Sequence, residues 1–203
     1  MTLPTKLTLL RIGMIPVFIL LFYIPLFGIK NYLLTGLFIL AGLTDWFDGY
    51  LARRMGMQSD FGAFLDPVAD KLMVSMILVL LVSAHPGWLL ALPATIIIGR
   101  ELTISAVREW MANVGERTKV AVSIIGKFKT TAQMIAIGFL LFEKPIGNFP
   151  TLEIGYVLLY LAALLTLWSM LLYLQAAWPS LNNAETGEAA EEEEEEDKQQ
   201  LDS

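Results

Sequence analysis

Six long apolar stretches predict an all-α integral membrane protein with six transmembrane helices. Three observations carry that fold class. The 203-residue chain is 56% apolar with mean hydropathy +0.60, above the roughly 45–50% apolar content of soluble domains. Each stretch is long enough to cross a hydrocarbon core of about 30 Å, which takes roughly 20 helical residues. Finally, lysine and arginine gather at one set of span ends.

The stretches fall at 9–28, 32–52, 62–84, 88–111, 121–142 and 153–175. The first contains Pro16 and Pro25 and lacks a small-residue cleavage exit, so it reads as a span and not as a cleaved signal. Trp88 opens the fourth span after Pro86-Gly87, as suits an interfacial aromatic belt. With the N-terminus inside, nine cations (Lys6, Arg11, Arg53, Arg54, Arg108, Arg117, Lys119, Lys127 and Lys129) lie on the cytoplasmic side. Only Lys30 and Lys144 lie opposite. The positive-inside rule then puts both termini in the cytoplasm.

Two units follow from the charge pattern. Residues 1–178 are expected to form the six-helix transmembrane domain, with 13 basic and 10 acidic residues. Residues 179–203 carry one lysine against 10 acids, six of them in the unbroken run Glu191 to Glu196. Such a segment buries too little apolar surface to offset its ordering entropy, so it is expected to be a disordered tail. The chain has no cysteine, which removes thiol ligands, thiol nucleophiles and disulfides. Its one histidine, His85, sits in a probable turn and reads as a loop residue, so histidine chemistry is excluded. Nothing in the chain suggests a nucleic-acid partner.

Four carboxylates stand out. Asp45 and Asp48 close the second span, and Asp66 and Asp70 open the third. Spacings of three and four put each pair on one helix face. Asp48 lies about 6 Å and Asp45 about 10 Å inside one helix end, while Asp66 lies about 6 Å and Asp70 about 12 Å inside the other. On antiparallel helices the pairs therefore fall at matched depth. Ionisable groups in a membrane span are costly and default to function. Four carboxylates in one place would repel one another unless cations intervene. Oxygen-only donors favour hard ions, Mg²⁺ with Mn²⁺ able to substitute, and a pair of ions suits phosphoryl chemistry.

Asp45-x2-Asp48-Gly49-x2-Ala52-Arg53-x8-Gly62-x3-Asp66-x3-Asp70 resembles the signature of the CDP-alcohol phosphotransferase family at all eight of its fixed positions. The resemblance implies that family's six-helix fold, a polar cavity open to the cytoplasm and a homodimer. It also implies that the first three aspartates ligate metal, and that Asp70 joins the metal site and serves as general base on the acceptor hydroxyl. Gly49, Ala52, Arg53 and Gly62, with Asp66, would line the nucleotide site.

The acceptor is read from other cations. Arg100, Ile104 and Arg108 follow i, i+4, i+8, so both guanidinium groups lie near one helix face. Lys127 and Lys129 open the fifth span two residues apart. Together these four are expected to hold an acceptor that carries its own phosphate. The blocks Gly99-Arg100-Glu101-Leu102, Arg108-Glu109-Trp110-Met111-Ala112 and 126–134, with Leu3 to Arg11, resemble the bacterial branch of the family that uses sn-glycerol 3-phosphate. The expected reaction joins CDP-diacylglycerol to sn-glycerol 3-phosphate, giving phosphatidylglycerophosphate and CMP by direct displacement. Three rivals stand beside it. One is a sibling using inositol phosphate, serine or phosphatidylglycerol. The others are a cation transporter and a non-catalytic scaffold for the acidic tail.

Overall fold

A computed structural model describes the backbone of residues 3–55, 60–113 and 124–201. The side chains of Asp48, Ala52, Arg53 and Lys127, and the surroundings of Gly49, lie outside the described residues. Six helices follow one another: α1 Leu3–Tyr23, α2 Lys30–Met55, α3 Asp60–Ala84, α4 Trp88–Asn113, α5 Ile124–Phe142 and α6 Thr151–Leu201. Among the described residues there is no strand, only an isolated bridge between Ile146 and Phe149. All six expected helices are present.

Their ends follow local chemistry. The first helix stops at Tyr23 and not near residue 28, because a residue preceding proline is pushed out of helical geometry and Ile24 precedes Pro25. The turn then uses Gly28 at φ 84°, a left-handed conformation that costs glycine nothing. Pro16, Pro67 and Pro93 sit inside α1, α3 and α4. Such prolines are tolerated in membrane helices, where neighbouring groups take up the freed carbonyls.

By length and composition, Leu65–Ala84, Trp88–Ala112 and Thr151–Trp178 are apolar enough to cross a membrane, and Leu7–Tyr23 and Phe128–Phe142 are shorter apolar segments. Large apolar side chains such as Leu20, Val79, Leu164 and Trp168 are exposed around the bundle. That outer surface suits hydrocarbon and not water.

The core gathers Phe18, Ile77, Leu78, Leu90, Ile97, Ile137 and Leu159, all buried. Helix α1 packs on α2 and α3, α5 packs on α2, α3 and α6, and α4 packs on α3 and α6. The α5–α6 contact is the most extensive of these. A Cβ built on Gly155 would sit 3.0 Å from Leu140 Cγ and 3.3 Å from its backbone nitrogen, so only glycine fits without movement.

One finding differs from the sequence reading. The acidic segment expected to be disordered is helical to Leu201, in continuity with α6. Alanine and glutamate are strong helix formers, and the preceding span supplies a formed turn on which propagation costs little. His85 lies in the turn between α3 and α4, as expected. His85 Nε2 lies 2.5 Å from Glu143 Oε1, and Asn31 Nδ2 donates to Glu143 Oε2 at 2.8 Å. The side chain thus ties the α3–α4 turn to the end of α5 and the start of α2.

Candidate active site

Helix α1 brings the described aspartates together. Thr8 and Arg11 are three apart and so share a face, and both are buried, at 0% and 1% exposure. Arg11 Nη1 lies 2.9 Å from Asp45 Oδ1 on α2 and also donates to Asp70 Oδ1 on α3. One turn away, Thr8 Oγ1 donates to Asp66 Oδ1. Three of the four predicted carboxylates therefore converge on one short stretch of α1. The carboxylates of Asp45 and Asp70 are half exposed, leaving oxygen lone pairs free for other partners. Gly62, a turn before Asp66, is buried.

A guanidinium with almost no contact to solvent is stable only when its charge is paired and hydrogen-bonded. Asp45 and Asp70 supply that pairing. Conversely, the one cation offsets the repulsion between two neighbouring carboxylates. Counting Arg11 only among cytoplasmic anchoring charges misses this role, and the structure corrects it.

The donor set fits a hard cation in kind. Asp45 and Asp70 reach one common positive group, Arg11, and every ligand atom on offer is carboxylate oxygen. Among the described residues, however, no three acidic groups lie close enough to hold an ion by themselves. Asp48, the fourth expected ligand, is outside the described side chains.

A cavity of about 260 Å³ opens beside Asp70, between α3, α4 and α5. Its walls include Asp70, Lys71, Val74, Glu101, Lys129 and Gln133. That is just below the roughly 300 Å³ at which pockets for drug-sized ligands begin, so it suits a small polar molecule. Lys129 is 5% exposed. Glu101 organises the charge here: its Oε1 accepts from Arg100 Nη1 at 2.6 Å and from Lys129 Nζ at 3.3 Å. Lys71 donates to Ser105 Oγ, which donates in turn to the Glu101 carbonyl at 2.5 Å. These links stitch α3 and α5 to α4 around the cavity.

Of the four cations expected to hold an acceptor phosphate, Lys129 stands on the cavity wall and Arg100 stands behind it through Glu101. Arg108 does not line the cavity; its guanidinium lies 5.4 Å from the Tyr173 ring. Arg100 Nη2 reaches Ser169 Oγ at 3.4 Å, so Arg100 and Arg108 do share a face, as their spacing requires, and it looks toward α6. Lys127 lies outside the described residues. Thr8, Arg11, Lys71 and Glu101 belong to the site without having been singled out from sequence. Glu101 carried a usable signal, an acid beside an arginine deep in an apolar span.

A sequence model of the CDP-alcohol phosphatidyltransferase family matches residues 1–168. Proteins named CDP-diacylglycerol–glycerol-3-phosphate 3-phosphatidyltransferase are similar over most of this chain. The one from Shigella flexneri serotype 5b (strain 8401) is 51% identical over 174 residues, covering 86% of this chain and 93% of that protein. The Haemophilus influenzae protein is 51% identical over 178 residues, 88% of this chain and 94% of its own. The Pectobacterium atrosepticum protein is 52% identical over 176 residues, covering 86% and 93%.

Proposed function

Because the chain belongs to the CDP-alcohol phosphatidyltransferase family, we propose that it transfers the phosphatidyl group of CDP-diacylglycerol to sn-glycerol 3-phosphate, releasing CMP. The carrying observation is the adjacency of two unlike sites: a carboxylate cluster, and a small polar cavity that carries Lys71 and Lys129 beside Glu101 and shares Asp70 with the cluster. Relatives at about half identity along nearly their whole length bear names of this reaction.

In this reading the acceptor lies in the cavity, with its phosphate toward Lys129 and Arg100 and its primary hydroxyl toward Asp70. Asp70 takes the hydroxyl proton, and the alkoxide attacks the phosphorus that bears diacylglycerol. Lys129 suits the phosphate because burial has already stripped the ammonium of water, so little desolvation remains to oppose binding. Arg11 holds Asp45 and Asp70 in place beside it. Asp45, Asp48, Asp66 and Asp70 would hold Mg²⁺ or Mn²⁺, with two ions expected. Such ions supply charge neutralisation on the diphosphate and on the leaving nucleotide. Gly49, Ala52, Arg53 and Gly62 belong to the nucleotide side on the family resemblance. The orientation with both termini and the cavity toward the cytoplasm, the bacterial inner membrane as location, and a homodimer belong to the same proposal.

The test is product formation by the purified protein. With CDP-diacylglycerol, sn-glycerol 3-phosphate and Mg²⁺, stoichiometric CMP and phosphatidylglycerophosphate are expected. Chelation of the divalent ion should stop both. Turnover with serine or inositol phosphate at comparable kcat/KM would assign the chain to a sibling activity, and no CMP with any acceptor would remove the enzyme reading.

A further inference from the structure

Gln133 has no part in the reaction as described, yet its position calls for a partner. It lies one helical turn beyond Lys129 on α5, on the same face. It is only 6% exposed, and it lines the cavity together with Asp70 and Lys129. On the same cavity wall its neighbours Val74 and Ile97 are apolar. A buried amide brings two N–H donors and an acceptor oxygen that need hydrogen bonds. Among the described residues no protein group is hydrogen-bonded to this amide, and the residue belongs to the cavity wall.

The charged groups in the cavity have clear tasks at the two ends of a small acceptor. Lys129, backed by Arg100 through their shared partner Glu101, matches an anionic group, and Asp70 matches a hydroxyl to be deprotonated. A neutral amide lining the same cavity matches neither charge, but it matches a second, unreacting hydroxyl. We infer that Gln133 is the residue that reads the secondary hydroxyl of the acceptor, setting the preference for a polyol phosphate over a simple alcohol phosphate. This rests on the reaction proposed above. In sn-glycerol 3-phosphate that hydroxyl sits on the middle carbon, between the phosphate end and the attacking end. Ser75, also on the cavity wall, is the nearest alternative hydroxyl partner in kind.

The physical basis is asymmetric. A site built to hydrogen-bond a substrate hydroxyl rejects the analogue lacking it, because the buried amide is then left unpaired. The experiment compares sn-glycerol 3-phosphate with 3-hydroxypropyl phosphate, which keeps the phosphate and the primary hydroxyl but lacks the secondary one. The wild-type protein is expected to favour glycerol 3-phosphate by about 10- to 100-fold in kcat/KM, the range of one buried hydrogen bond. In Gln133→Leu, similar in size but without donors or acceptor, the preference should collapse to about twofold, through loss on glycerol 3-phosphate alone. Gln133→Asn keeps the amide one methylene short and should give an intermediate preference.

Equal losses on both acceptors in these variants would mean that Gln133 supports the fold and not the choice of substrate. An unchanged preference in either active variant would also overturn the inference. If neither variant folds, the wild-type comparison decides alone, since equal use of the two acceptors removes any reader of the hydroxyl. No product from either acceptor with the wild-type protein would instead sink the proposed reaction, and this inference with it.

Discussion

Replacing Arg11 by glutamine removes the group that joins Asp45 to Asp70. The carboxylates are half exposed and retain some hydration, which limits the penalty to about 1–2 kcal/mol. Unfolding in detergent micelles should therefore shift by only a few degrees, whereas activity should fall at least tenfold because both acids lose their alignment. Arg11→Lys should recover part of the stability but not the two-way contact, since an ammonium lacks the planar fork. Full activity in Arg11→Gln would reduce the residue to a packing element. The cavity invites a second substitution test. Lys129→Gln leaves an incoming phosphate without its buried partner, at a cost of about 2–4 kcal/mol or roughly 30- to 1000-fold in kcat/KM for glycerol 3-phosphate. Arg108→Gln, away from the cavity wall, should lose far less and equally toward both substrates. If steady-state kinetics give the reverse order, the acceptor phosphate sits nearer α6 than Lys129.

At the level of single helices, the α5–α6 contact depends on the absence of a side chain at Gly155. Gly155→Val would press on the Leu140 side chain and backbone, and overpacking of this kind costs about 1–3 kcal/mol. The change should appear as a lower unfolding temperature, with kcat of the folded fraction nearly unchanged because the site lies on α1 to α5. An unaltered midpoint would mean that the two helices separate easily. Helix α6 is itself the outlier in length. Its 51 residues span about 77 Å at helical rise, far more than a hydrocarbon core of about 30 Å. The acidic part beyond Trp178 therefore stands clear of the apolar layer. Truncation after residue 182 should leave kcat within about threefold, since no group on the described site comes from that part. A collapse in turnover with folded protein retained would give the acidic helix a role in chemistry.

Across the whole molecule, what was legible in the sequence depended on the range of each interaction. All six helices were readable from local apolar content. The Asp66–Asp70 pair was readable because residues four apart must share a face. Arg11 and Thr8 were not, for their partners lie 59 and 58 residues away and no local period encodes such a meeting. The end of α1 was misjudged for the opposite reason: apolarity continues to Phe27, but Pro25 breaks the helix first. For the acidic segment, charge and low complexity argued for disorder, while helix propensity and continuity with α6 acted the other way. Gln133 illustrates the middle case. Its residue type was visible, but only the surrounding cavity gives a neutral amide meaning.

The burial of Arg11 also has a consequence for how the chain is made. Helix α1 leaves the ribosome before the aspartates that neutralise its guanidinium have been synthesised. A lone arginine cannot settle in hydrocarbon during that interval, so it must wait at the headgroup boundary, extended toward water. Only when α2 and then α3 enter the bilayer do Asp45 and Asp70 arrive to receive it. The first helix is thus the first to be inserted but among the last to reach its final depth. Assembly of the carboxylate cluster and the final seating of α1 are one event.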